Sequence, residues 1–406
     1  MNKACKVIWS HIHRHMVVVS ELVRGRGKTQ STRTATGGPD AGTTANTAAT
    51  EVGILPTLAL CMAVGFGVLA ADRAAAQDLP TGAQVTAGQA SVSTSGANMV
   101  IDQSTQRAAI NWQSFNVGAG AHVHFNQPSS SASTLNRVVG PQASTILGRI
   151  TAPGQVIISN GNGVYFGRGA SVDVGSLVAT THSIGVDRFM AGELVFERNG
   201  ATGSVVNEGE LRAKLEGYIA LIAPEVRNEG LIVAHKGTVA LAAGEVVELQ
   251  LDPANKLANL RVEAGQWQAL VDNQHAIEAE DGLVILSAMA VRELQGGVVR
   301  HSGSISANSL AHVGGRVLLT GDDITLQAGS TITATGAKGG GAVLVGGDWQ
   351  GGANEQRRVF ADPNALHQAT TVTMERGALI DASATDNGKG GTCLLYTSPS
   401  PRDRQK

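Results

Sequence analysis

The residues best suited to chemistry come in four groups. Three histidines alternate in HIHRH, at His11, His13 and His15, and two more, His122 and His124, flank a single valine. Alternation puts side chains on one face of a strand, which is how imidazoles must stand to share a metal ion. The second group has no third ligand candidate nearby, and no metal site is expected at either. The first is read as part of a basic stretch and the second as a solvated or packed pair. Glycines recur in GNGVYFGRG (161–169), as in a phosphate-cradling loop, but the lysine of such a loop is missing and no helical pattern follows. These are read as turn glycines. The carboxylates Asp252, Asp272, Glu278, Glu280, Asp281, Asp322 and Asp323 are the groups from which paired acid–base catalysis could be built. Adjacent acids on a strand point to opposite faces, and none of these forms a recognisable constellation. The expectation is no enzyme: no catalytic residue and no cofactor.

The elements that position these groups are short strands. The chain has 406 residues, of which 42% are hydrophobic but only 3% aromatic, with 51 glycines. A large core is therefore built from Val, Ile, Leu and Ala, which suit strands broken by glycine turns. The net charge of −2 argues against nucleic acid as the main partner. Stretches such as GQVIISNGNGVYFG, GTVALAAGEVVELQL and GRVLLTGDDITLQAGSTITATG alternate or run apolar between Gly, Asn and Asp, and no long amphipathic helix stands out.

One repeat is visible directly. VNEGELRAKLEGYIALIAPEV (206–226) aligns with RNEGLIVAHKGTVALAAGEVV (227–247), laying Asn207-Glu208-Gly209 over Asn228-Glu229-Gly230 at an offset of about 21 residues. A looser pair, beginning at Ser330 and Ala378, suggests the same unit with an insertion between. Three short strands and their turns at this period make one rung of a β-solenoid, in which inward aliphatic side chains stack and Gly or Asn takes the corners. An antiparallel β-sandwich is the competing fold, but it has no reason to repeat Asn-Gly corners at a fixed offset.

The amino-terminal segment is built differently. Basic residues from Lys3 to Arg33 face one acid, Glu21, and a Ser/Thr/Ala/Gly linker follows. The apolar run at 54–71 then leads into DRAAAQ, where Ala74 and Ala76 have the spacing that signal peptidase accepts. Cleavage is expected between Ala76 and Gln77. A membrane-spanning helix is the alternative, against which Pro56, two glycines and the Ala-rich exit argue. Cysteines occur only at 5, 61 and 393, so residues 77–392 contain none. A chain that crosses a second membrane unfolded would be blocked by periplasmic disulfide loops, and the absence of cysteine is consistent with that route.

Residues 1–28 resemble the extended signal peptide region of large type V secretion exoproteins. Residues 111–181, NWQSFNVGAGAHVHF through GSLVATT, resemble the amino-terminal secretion domain of two-partner secretion exoproteins, the filamentous haemagglutinin family. That family carries an Asn-Pro-Asn-Gly-Ile/Val motif, matched here by Asn160, Gly161, Asn162, Gly163 and Val164, with Gly161 in place of proline. The resemblance implies an all-β, right-handed parallel β-helix with an N-terminal cap. It implies an outer-membrane β-barrel transporter with periplasmic domains as partner, and a secreted or cell-surface location in a Gram-negative bacterium.

The expected organisation is an extended signal peptide over 1–76, a secretion core over 77–200, continuing β-helix rungs over 201–392 and a non-native tail over 393–406. The tail expectation rests on CLLYTSPSPRD (393–403), which resembles the translation of a sequencing adapter and implies that the natural chain continues beyond Thr392. The expected function is the N-terminal part of a surface-associated adhesin or haemagglutinin-like exoprotein meeting host-cell surface glycans or proteins. The alternatives are the stalk of a toxin-delivery protein and a haem- or haemopexin-capturing exoprotein.

Overall fold

A computed structural model describes residues 78–291, 296–358 and 366–397, together with the backbone of two short strands, Lys6–Ser10 and His15–Val19. The expected cleavage residues Ala74, Ala76 and Gln77, and His11 and His13, lie outside the described residues.

Successive short strands join three long sheets in strict rotation. From Arg149–Thr151 the chain passes to Gln155–Ser159 and then to Val164–Phe166, and the next circuit begins at Ser171–Val174. Each strand pairs in parallel with its counterpart one circuit on: Arg149 lies opposite Ser171, Gln155 opposite Ser176 and Val164 opposite Val205. These three walls, here numbered in the order just given, make the parallel β-helix that the sequence implied. At its amino-terminal end, Gln84–Ala87 and Ala90–Ser95 pair antiparallel with the first strands of the second and first walls. This is the expected cap, and it covers strand edges that would otherwise be open for pairing.

Several of the scarce aromatic residues gather in the first circuits. Trp112, Phe115, Phe125 and Phe166 fill the capped end with no exposed surface. Trp112 meets Phe115 edge-on at 5.5 Å and donates Nε1–H to Asn136 Oδ1 at 3.1 Å. Further along, the interior is made of stacked Val, Ile, Leu and Ala.

The second wall is buried on both faces. Tyr218–Ile222, Thr238–Ala243 and Leu283–Ala288 are buried at every position, which explains why YIALI, TVALAA and LVILSA read as unbroken apolar runs. Alternate residues such as Ile219, Leu241 and Leu286 face the solenoid interior, while Ala220, Ala240 and Ile285 face an outer layer. That layer comes from insertions between the second and third walls. One supplies a six-residue helix, Val186–Ala191, and the strand Val195–Glu197; another supplies the hairpin Val246–Leu251 and Leu257–Glu263. Strand Val195–Glu197 pairs with the hairpin, so the two insertions form one sheet that seats Phe189, Phe196, Val247 and Leu249 on the wall.

The repeat legible in the sequence is physical. Asn207 lies opposite Asn228, and these buried side chains form a ladder: Asn207 Nδ2 donates to Asn228 Oδ1 and Asn228 Nδ2 to Asn273 Oδ1, each at 2.8 Å. The offset is 21 residues there but 20 in the second wall, where Tyr218 faces Thr238, because the intervening corner is one residue shorter. The looser pair also stacks, with Thr331 opposite Leu379 across an insertion. Residues 393–395 of the expected tail belong to the strand Thr392–Leu395, which pairs in parallel with Ala342–Val345.

The ladder ends on a histidine. Asn273 Nδ2 donates to His301 Nδ1 at 3.1 Å, and His301 Nε2 donates to the Thr331 carbonyl at 3.1 Å. This pattern requires a neutral ring. Burial lowers the His301 pKa, so below the unfolded value of about 6.5 the unfolded chain takes up the proton more readily and stability falls. Unfolding free energy is expected to decline as pH drops from 7 toward 4, and His301→Asn, followed by chemical denaturation at each pH, should flatten the decline.

A second ladder needs no side chains at all. A Cβ placed on Gly237 would lie 1.8 Å from the Gly217 carbonyl oxygen, and one on Gly282 would lie 2.3 Å from that of Gly237. The corner between the first and second walls is therefore closed to any side chain. Gly237→Ala is expected to cost about 1–3 kcal/mol in urea unfolding, whereas Gly390→Ala, with nothing within 4 Å, should change it by less than about 0.5 kcal/mol.

Candidate functional site

The matched motif forms the corner between the second and third walls. Strand Gln155–Ser159 stops at Asn160 and strand Val164–Phe166 starts four residues later. Gly163 N–H donates to the Asn160 carbonyl at 3.0 Å, closing a tight turn, and Asn160 Oδ1 accepts from Asn162 N–H at 3.0 Å. A side-chain carboxamide that bonds the backbone two residues on is why asparagine starts such a turn. Gly163 has a φ of +126°, a conformation that disfavours any other residue.

Asn160 also ties three circuits together. Its Nδ2 donates to the Gln142 carbonyl at 2.9 Å and to Ser144 Oγ at 3.0 Å on the preceding circuit. Its backbone N–H donates to Thr180 on the following one at 2.9 Å. The side chain has no exposed surface, so its amide is spent inside the fold. Val164 is in the core. Gly161 and Asn162 are the two motif residues that face solvent, with Asn162 Nδ2 held by the Gly140 carbonyl at 3.1 Å. Gly161 lies outside the left-handed region, and a Cβ there would meet its nearest atoms at 3.8 Å. Among the described residues its N–H donates no hydrogen bond. The second position of a turn of this kind accepts proline, so glycine here keeps the shape while losing the fixed φ.

His182, which sequence reasoning passed over, locks the same corner to the outer layer. Its carbonyl accepts from Ser159 Oγ at 2.9 Å, and its Nε2 donates to the Gly244 carbonyl at 2.8 Å, at the root of the second insertion. The ring has no exposed surface, and burial drives its pKa down to about 4. Nothing in TTHSIG marks it, because its partner lies 62 residues away.

The acids considered for catalysis are dispersed. Asp252 caps the hairpin tip through Oδ1, which accepts from the Ala254 and Lys256 amides. Asp272 accepts from Gln274 on the outer face of the third wall. Asp322 is buried, accepting from Gly297 N–H at 2.8 Å and pairing with His367 Nε2 at 3.0 Å. Asp323, next along, faces outward, as alternation requires.

Comparison with known proteins decides the family. The model of the TPS secretion domain matches residues 76–334, more than half the chain, and that of the Extended Signal Peptide of Type V secretion system matches residues 1–50. The chain belongs to the TPS secretion domain family. Two relatives, each named heme/hemopexin-binding protein and both from Haemophilus influenzae, are 33% and 30% identical over 64% and 59% of this chain. The match spans only 29% and 28% of their lengths. The solved secretion domain of HMW1 from Haemophilus influenzae superposes with a TM-score of 0.60 at 26% identity, covering 75% of this chain and 84% of that one. As a two-partner secretion exoprotein with an extended signal peptide, the chain is secreted across the outer membrane of a Gram-negative bacterium by a partner β-barrel transporter. Its family consists of secretion domains of exoproteins, not enzymes.

The two halves of the TPS motif corner respond oppositely to substitution. Asn160→Ala strands the groups it satisfies and should cost about 1–3 kcal/mol. Gly161→Pro should stabilise by about 0.4–1 kcal/mol, by restricting the unfolded chain. Thermal and urea unfolding of the two variants measure both.

Proposed function

We propose that this chain is the export end of a surface-associated adhesin or haemagglutinin-like exoprotein that acts without catalysis. The observation that carries this reading is a corner with a buried staple, Asn160, and an exposed tip, Gly161-Asn162, on a domain of the TPS family. In this proposal Asn160, Gly163 and Val164 shape the turn, and Gly161 with Asn162 presents it to the periplasmic domains of the transporter. Residues 1–76 act as the extended signal peptide, the secretion core begins at Gln77, and Ala74 and Ala76 direct cleavage. Host-cell surface glycans or proteins are the partners of the exported product.

A second reading, capture of haem or haemopexin, is favoured by the name shared by the two Haemophilus relatives. Binding of the secreted product to erythrocytes or epithelial cells supports the first reading. Saturable binding of haem or haemopexin without cell attachment supports the second.

Export is tested by co-expressing the chain with its partner barrel and measuring the amount released into the medium. Asn162→Ala should reduce release with an unchanged unfolding midpoint, while Asn160→Ala should reduce both. Normal release of Asn160→Ala would sink the motif assignment. Amino-terminal sequencing of the released protein should begin at Gln77.

A further inference from the structure

The export reading leaves unused a cluster on the outward face of the first wall. His122 and His124 alternate on the strand His122–Asn126, both half-buried and on the same side. The adjoining strand Arg149–Thr151 pairs with it in parallel, setting Arg149 beside His122 and Thr151 beside His124. Thr151 Oγ1 lies 2.8 Å from His122 Nε2 and 2.8 Å from His124 Nδ1. Two imidazole nitrogens from one strand thus converge on a single oxygen.

A hydroxyl has one proton, so with both rings neutral it donates to one nitrogen and accepts from the other. A lone pair and an N–H therefore meet at this point, and a tautomeric shift would turn the second nitrogen into a lone pair as well. The Thr151 hydroxyl occupies the point at which both rings aim, so a metal ion held by the two nitrogens would take its place.

We propose that His122 and His124 chelate one divalent transition-metal ion on the outer face of the first wall, with water completing its coordination. Imidazole pairs favour copper above the other first-row divalent ions and have little affinity for magnesium or calcium, which prefer oxygen. The export motif takes no part in this site.

The test is titration of the full chain with Cu²⁺, set beside His122→Ala, His124→Ala and, as a control, His275→Ala, an exposed histidine elsewhere. The segment HIHRH is present in all of them, so the difference between proteins is what counts. The wild type and His275→Ala are expected to bind one more equivalent than either site variant, or to bind that equivalent about tenfold or more tightly. Electron paramagnetic resonance of this difference copper should show coupling to two imidazole nitrogens, and Mg²⁺ should not displace it. Circular dichroism establishes that the variants are folded. Wild-type stoichiometry and affinity in both site variants would overturn the proposal, and so would loss in only one of them, since a chelate needs both rings.

Discussion

Everything in this molecule depends on the parallel stacking of one circuit on the next. A strand in the middle of the stack finds its backbone partners only in the circuits above and below, so those circuits must match it in register. Register then fixes side chains: each residue sits on its counterpart, and what suits one circuit must suit its neighbours. Aliphatic residues satisfy this by dispersion and burial, asparagines by passing a hydrogen bond along the ladder, and glycines by leaving room for a carbonyl where no side chain fits.

The same constraint explains where the irregular features lie. Insertions open between the second and third walls, because lengthening a corner outward leaves the stacked strands undisturbed. Two of these insertions fold together over the outer face of the second wall, turning a sheet that would have one wet face into a buried one. His182 lies at the root of this arrangement, its hydrogen bond to Gly244 connecting a corner of the helix to the base of an insertion far along the chain, while Asn160 ties the same corner to the preceding circuit. The motif is thus part of the architecture first. Its exposed tip is small, two residues wide, and rests on a side chain that no partner can reach.

Much of the fold was legible because stacking leaves a periodic trace. Asn207 over Asn228 and Ser330 over Ala378 were visible as repeats, and the short strands between Gly and Asn corners were visible as alternation. Asn273 and His301 belong to the same ladder but escaped notice: a hairpin inserted between Asn228 and Asn273 breaks the period, and a histidine does not look like the next asparagine. The pairing of His122 and His124 on one face was legible. Their convergence on Thr151 was not, since it depends on which strand lies alongside.

The sequence by itself determined the class of this protein. Glycine-rich corners, aliphatic strands, few aromatics and a repeat of about 21 residues point to a β-solenoid, and a basic leader ahead of an apolar run points to export, because each is a local property that survives without knowing what touches what. Only the tertiary structure decided which groups are spent and which remain available. Asn160 and Asn162 are the same residue type two positions apart, yet one is sealed among three circuits and the other faces water. That difference arises from contacts with residues 16 to 22 positions away in the chain, which local pattern does not encode.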